Sequence, residues 1–279
     1  MARVRFSRSA ILVAAAIALT IAASLRAYAQ QTAPDPYKPT VGQPGKDAVW
    51  VPTSPALVEK MLDMAKLTPS DFVMDLGSGD GRNVIAAAKR GAHGVGVEYN
   101  ADLVAYSNRM AQKEGVADKA KFVQGDMYAA DISKANVLAL FLLTENLDKL
   151  LPKFLDLRPG TRIVANTFGM SGWTPDETER LENDCTNWCT SLLWIVPAKV
   201  QGTWTLPSGQ LALKQEFQMV SGTLTTDGSP KTIGNGRLRG DQIRFSADGA
   251  EYEGRVNGDT IEGTVTKNGA SSKFTATKK

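Results

Sequence analysis

The sequence predicts a doubly wound α/β domain followed by a small antiparallel all-β domain. Between residues 48 and 198, short apolar β-type runs alternate with amphipathic helical stretches. The run VMDLGSGDGRNVIAAAK, residues 73–89, sets alternating glycines between a strand and a helix. Beyond Val200 the helical period disappears, and apolar and polar residues alternate between Gly, Asp and Asn turns. At 279 residues and 43% apolar composition, the chain can bury a substantial core.

The amino end reads as a signal peptide over residues 1–29. MARVRFSRSA is basic, residues 11–25 are apolar but short for a membrane span, and Ala27 and Ala29 are the small residues a signal peptidase reads. Cleavage is expected before Gln30, with no transmembrane span left and the chain exported to the periplasm; an uncleaved anchor is the alternative. Arg3, Arg5 and Arg8 hold the amino end in the cytoplasm in either case. With Arg26 they carry the chain's basic excess, and their removal takes the formal charge from +3 to −1. No phosphate-neutralising surface remains, so nucleic acid is not an expected partner.

Residues 30–47 are rich in Pro, Gly and polar side chains and read as a flexible or extended lead-in. A first helix follows, with Ser54 as N-cap, Pro55 at its first position, and Val58, Met61, Leu62 and Ala65 on one face. DFVMDL, GVGVEY, AKFVQGD, ANVLALFLL and TRIVANTF read as strands. Helices are expected from about Arg82, over ADLVAYSNRMAQKEG and over TENLDKLLPKFLDL. The order implies a parallel sheet with helices on both faces and a ligand crevice at the carboxyl ends of its strands.

WTPDETERLENDCTNWCTSLLWIVPA reads as an antiparallel pair closing that sheet. Residues 199–279 then form the all-β domain, a barrel or a sandwich, with strands over GQLALKQEF, SGTLTT, NGRLRGDQIRF, EYEGRV, DTIEGTV and SKFTAT. Asn268-Gly269 is a hairpin turn. GRLRGDQI at residues 236–243 returns as GRVNGDTI at 254–261, each a strand, a turn and a new strand.

A glycine turn that opens a helix brings amides and a helix N-terminus up to a ligand. Here the dinucleotide fingerprint fails, because the sixth position counted from Gly77 is Arg82, and no Lys-Ser or Lys-Thr closes a P-loop. Asp75 and Asp80 flank the turn, and a carboxylate about 4 Å from a phosphate costs about 4 kcal/mol at an effective dielectric near 20. An adenosyl ligand bearing positive charge suits these acids better.

On these residues the chain resembles the class I S-adenosylmethionine-dependent methyltransferases, whose first motif is an acid, a spacer and Gly-x-Gly-x-Gly: here Asp75, Gly77, Gly79 and Gly81. The resemblance covers roughly residues 48–198 and implies a Rossmann-like fold with S-adenosylmethionine as cofactor. It implies that Glu98, 21 residues after Gly77, grips the ribose hydroxyls, and that Asp126 meets the adenine amino group with Met127 alongside. Ser78, Asp80 and Tyr99 complete the implied contacts. WVPTS and DLGSGDGRNVIAAAKRGAHGVGVEYN look more narrowly like the lysine methyltransferases of the ATP synthase c-subunit and the adenine nucleotide translocase, which implies a protein lysine acceptor.

The Asn/Asp-Pro-Pro-Tyr motif of many amino-group methyltransferases is replaced by FLLTEN, so no catalytic base is carried over. Trp50, Thr53, Thr144, Glu145, Asn166 and Thr167 are candidates for the crevice mouth. The alternative function is an exported non-catalytic binding or scaffold protein that retains the fold. Export also separates the chain from a donor made in the cytoplasm. His93 is the sole histidine, so no metal site is expected. Cys185 and Cys189 bracket TNW at the tip of the expected hairpin, within disulfide reach if the compartment oxidises. Trp194, Trp204 and Phe217 read as core packing.

Overall fold

Helix formation begins at Ser54, whose hydroxyl accepts from the Leu57 amide while Pro55 fills the first helical position. The resulting α1 (Pro55–Met64) buries Leu57, Val58, Met61 and Leu62 along one stripe. It belongs to a computed structural model that describes residues 37–279. The expected signal peptide and residues 30–36 of the lead-in lie outside the described residues.

The alternation continues with β1 (Phe72–Leu76), α2 (Arg82–Lys89), β2 (His93–Glu98), α3 (Ala101–Lys113), β3 (Ala120–Gln124), β4 (Val137–Leu140), α4 (Thr144–Leu155) and β5 (Arg162–Asn166). A hairpin of β6 (Glu177–Arg180) and β7 (Thr190–Ile195) completes a seven-stranded sheet of order β3-β2-β1-β4-β5-β7-β6. Strands β1 to β5 pair in parallel, and β7 runs antiparallel to β5 and β6. Because β1 lies between β2 and β4, the crossovers leave it in opposite directions. A crevice opens there at the strands' carboxyl ends.

Successive strand residues face opposite sides of the sheet. Val73, Val137, Ala139, Val164 and Leu193 pack with α1 on one face. Met74, Leu138, Leu140, Ile163 and Trp194 pack with Leu147, Leu150 and Phe154 of α4 on the other. The connection from β3 to β4 contains no helix, so Val123 remains 46% exposed.

The second sheet comprises β8 (Gly202–Leu206), β9 (Gly209–Glu216), β10 (Met219–Thr226), β11 (Ser229–Thr232), β12 (Gly234–Arg239), β13 (Gln242–Ala247), β14 (Ala250–Asn257), β15 (Thr260–Lys267) and β16 (Ala270–Lys278). Successive strands pair antiparallel except at β11 and β12, which lie end to end and both run antiparallel to β10. β16 then returns to β8 through Thr277 opposite Thr205 and Lys278 opposite Trp204. The ring therefore closes as an eight-stave barrel, which removes the exposed edges a sandwich would keep. Trp204, Leu211, Leu238, Phe245, Ile261 and Phe274 fill it. The Asn268-Gly269 turn takes φ of 52° and 79°, as a tight hairpin requires.

Pro39–Lys279 form one compact unit. Trp194 belongs to the α/β core and Trp204 to the barrel core, whereas Phe217 turns out of the barrel and stacks on Trp173, with centroids 5.6 Å apart. Gln218 Nε2 donates to the Thr174 carbonyl at 2.8 Å, and Arg237 Nη2 reaches the buried Asp176 carboxylate at 2.6 Å. The barrel is thus fastened to the β6–β7 edge of the α/β sheet.

Candidate functional site

Between Leu76 and α2 the chain reverses within a few residues. Gly77, Gly79 and Gly81 take positive φ of 72°, 54° and 82°, a region costly for any residue with a Cβ. Close approach excludes side chains as well. A Cβ at Gly79 would lie 2.4 Å from Trp50 Nε1, and one at Gly81 2.5 Å from Phe122 Cζ. The amides of Gly77 and Ser78 donate to the Val97 carbonyl at 2.8 and 3.1 Å, which locks the turn to β2.

Asp75 ends β1 almost fully buried, at 3% exposure. Its Oδ2 accepts from Asn83 Nδ2 at 3.0 Å, and the same nitrogen reaches the Ala139 carbonyl at 3.2 Å, tying β1 to β4 across the switch point. Burial drives the Asp75 carboxyl well above the ordinary aspartate range. The Asn83 bond opposes the shift, while the Glu98 and Asp80 charges add to it. Glu98, at the end of β2, accepts from the amides of Gly79 and Asn100, both at 2.9 Å. Asp80 is turned elsewhere: Arg82 donates from Nε to its Oδ1 at 2.9 Å and from Nη2 to its Oδ2 at 2.5 Å.

Asp126 and Met127 follow β3 on the far side of the crevice, where Asp126 Oδ1 accepts from the Tyr128 amide at 2.8 Å. Its other oxygen holds Lys46 Nζ at 2.7 Å. That lysine belongs to the segment read as a lead-in, which folds back as a strap: Gly42 N donates to the Trp50 carbonyl and Trp50 N to the Gln43 carbonyl, both at 2.9 Å. Lys46 Nζ also lies 5.0 Å from the Tyr99 ring centroid and 5.9 Å from that of Tyr128. The bond to Asp126 raises the Lys46 ammonium's pKa and lowers that of the carboxyl. Under the strap about 100 Å³ stays open, less than the several hundred typical of small-molecule sites.

Of the sequence-predicted residues, Gly77, Glu98, Tyr99, Asp126 and Met127 line the crevice together. Asp75, Ser78, Gly79 and Gly81 form the turn and its support rather than the lining, and Asp80 faces a different groove with Arg82. Trp50 packs on the turn. Asn166 Nδ2 donates to Thr53 Oγ1 at 3.2 Å, Thr144 and Glu145 open α4, and Thr167 bonds to Thr190 across the hairpin. The cysteine pair is bridged, Cys185 to Cys189.

Sequence reasoning missed Lys46, Asn83, Asn146 and an aromatic cluster. Asn146 lines the crevice at 4% exposure, donates to Tyr128 Oη at 2.8 Å and leaves its buried Oδ1 without a partner. Phe141, also a lining residue, has ring centroids 6.2 Å from Phe168 and 6.0 Å from Trp188. Only the FLLTEN run hinted at these, since it begins with Phe141 and ends with Asn146. Among the described residues no cluster of His, Cys, Asp or Glu could hold a metal ion. A larger groove of about 650 Å³ crosses the outer wall of the barrel, but its Arg237, Arg239 and Arg255 are taken up by Asp176, Glu177 and Asp241.

The ANTKMT methyltransferase domain matches residues 75–177. A protein-lysine N-methyltransferase of Saccharolobus islandicus is 41% identical over 48% of this chain and 85% of its own length. The lysine N-methyltransferase of the ATP synthase c-subunit from Rattus norvegicus is 38% identical over 46% of this chain, which spans 60% of the rat protein. A crystal structure of an RNA methyltransferase from Salinibacter ruber, in complex with S-adenosyl-L-homocysteine, superposes with a TM-score of 0.50 at 43% identity, over 54% of this chain and 96% of that one.

Proposed function

Because the chain belongs to the methyltransferase family that carries the ANTKMT methyltransferase domain, we propose that it transfers a methyl group from S-adenosylmethionine to the ε-amino group of a protein lysine. That it is an S-adenosylmethionine-dependent methyltransferase follows from the family; the lysine acceptor is our reading. One observation carries the cofactor site, a left-handed glycine turn set among acids at the ends of three adjacent strands, and the likeness to a protein-lysine N-methyltransferase supports the acceptor.

The residues present fit the cofactor. The glycines keep the floor free of side chains, and the buried Asp75, whose carboxyl burial drives well above the ordinary aspartate range, gains from a cationic neighbour. In our reading the glycine turn with Asp75 holds the methionine moiety, Glu98 the ribose hydroxyls, and Asp126 with Met127 the adenine. S-adenosylmethionine supplies a sulfonium-bound methyl group. The chain would orient donor and acceptor for an in-line displacement, in which the deprotonated lysine nitrogen takes the methyl group, S-adenosylhomocysteine leaves and the proton passes to water; orientation alone lowers such barriers substantially. Asn146 Oδ1 is free to accept an N–H on the crevice wall.

An RNA acceptor, as named for the Salinibacter protein, is less favoured. The two segments at the mouth, residues 141–148 and 181–189, contain Glu145, Asp148, Glu182 and Asp184 and no Lys, Arg or His, with Lys149 and Arg180 directly adjoining them. Acids repel a polyanion and attract an ammonium. To test the acceptor, the full chain is incubated with methyl-labelled S-adenosylmethionine, envelope proteins and total RNA, and the separated protein and RNA fractions are hydrolysed. Label is expected in methyl-lysine and not with Glu98→Ala; label in RNA alone would contradict the reading.

Lys46 competes for Asp126, so Lys46→Ala is expected to tighten S-adenosylhomocysteine binding about threefold by calorimetry. Its effect on the thermal midpoint should stay within about 1 °C, as for an exposed ion pair. We also propose that the chain is exported through residues 1–29. The Cys185–Cys189 bridge supports an oxidising compartment. Cell fractionation is expected to recover the chain from the periplasm; recovery in the cytoplasm would refute export.

A further inference from the structure

Beside the crevice, Phe141, Phe168 and Trp188 form an aromatic surface that the cofactor reading leaves without a task. Phe141 is shared: it lines the crevice and touches both other rings. Trp188 is 43% exposed, so that one part of its indole packs toward Phe141 and the rest is open to a ligand. Other exposed apolar side chains gather at the same mouth. Val49 and Tyr99 line the crevice, and Leu143 follows the lining residue Leu142.

The backbone holds this surface in place at some expense. Thr167, directly before Phe168, and Trp188 itself both take positive φ, 60° and 54°, which is unfavourable for residues with a Cβ and concentrates at working sites. Trp188 lies inside the short Cys185–Cys189 loop. Thr167 N donates to the Thr190 carbonyl at 2.7 Å, joining the two strained segments. Charge points to the occupant. Glu145 is exposed on the segment that begins with Phe141, Glu182 and Asp184 are exposed in the loop that carries Trp188, and that loop, residues 181–189, contains no basic residue beyond the Arg180 that precedes it.

We propose that Phe141, Phe168 and Trp188 form the acceptor platform, on which the side chain of a protein lysine lies with its apolar stem against the rings and its ammonium attracted by their faces and by the surrounding acids. Aromatic faces bind cations and methylene chains together, which neither an acidic nor an aliphatic surface does alone. Trp188 is then a positioning residue for the acceptor and has no part in holding the cofactor. The platform rests on the methyltransferase reading above.

The test separates the two. The full chain and its Trp188→Ala and Trp188→Phe variants are titrated with S-adenosylhomocysteine. Each is then titrated, with that ligand saturating, with a short lysine-containing peptide and its norleucine counterpart. The parent is expected to prefer the lysine peptide; Trp188→Ala should lose about tenfold in peptide affinity and Trp188→Phe no more than about threefold. All three should bind S-adenosylhomocysteine alike. Peptide affinity unchanged in Trp188→Ala, or no preference for lysine over norleucine in the parent, with cofactor binding intact, overturns the platform alone. Failure of the parent to bind S-adenosylhomocysteine overturns the methyltransferase reading and the platform with it.

Discussion

Asp75→Asn is expected to raise the thermal midpoint of the full chain by about 2–4 °C at pH 7 while abolishing S-adenosylhomocysteine binding. Burial holds the folded carboxyl well above its ordinary value of 3.8. Below that value both folded and unfolded states are protonated, and the group leaves stability unchanged. As pH rises the unfolded chain ionises first, so the folded state loses stability until its own carboxyl ionises. Asparagine keeps the shape, can still accept from Asn83 and removes the loss, so its advantage should vanish near pH 4 and grow toward neutrality. In our reading Asp75 acts on the ligand's ammonium from beneath the turn, an attraction that grows as the carboxyl ionises, so parent affinity should increase with pH. A destabilised variant, or one that binds like the parent, would contradict this account of Asp75.

Arg237→Met should lower the thermal midpoint by about 6–15 °C, a loss of about 3–5 kcal/mol. The Asp176 side chain is fully buried, and among the described residues its carboxylate accepts from Arg237 and from the Ile195 amide, the latter at 2.9 Å. Removing the guanidinium strands a charge where the barrel meets the α/β sheet. Pairing the change with Asp176→Asn removes that charge as well and should recover most of the loss, which scanning calorimetry of the two variants measures. A single variant within about 1 kcal/mol of the parent would show that the barrel is held by packing, such as that of Phe217 on Trp173, and not by this pair.

The α/β domain was legible because its signals are local. Ser54 and Pro55 announce α1, glycine spacing announces the turn, and alternating runs announce strands whose order follows from parallel crossovers. Barrel closure was not legible, since it depends on a short pairing between β8 and β16 at opposite ends of the domain. Phe217 reads as barrel core by alternation, yet a hairpin turn with φ of 50° swings it into the neighbouring domain. The same limit applies at the site. Glu98 and Asp126 announce themselves by position after strands, whereas Lys46 reaches Asp126 from 80 residues away. Asp80 follows the motif in sequence, but Arg82 two residues on captures it.

Family membership favours an enzyme over a non-catalytic scaffold that keeps the same fold. The glycine turn and the acids at the strand ends are read as the seat of an adenosyl ligand, and isothermal titration of the full chain with S-adenosylhomocysteine decides whether they are. Micromolar binding is expected, weakened at least about tenfold in Glu98→Ala. No binding by the parent, or equal binding by the two proteins, would contradict it.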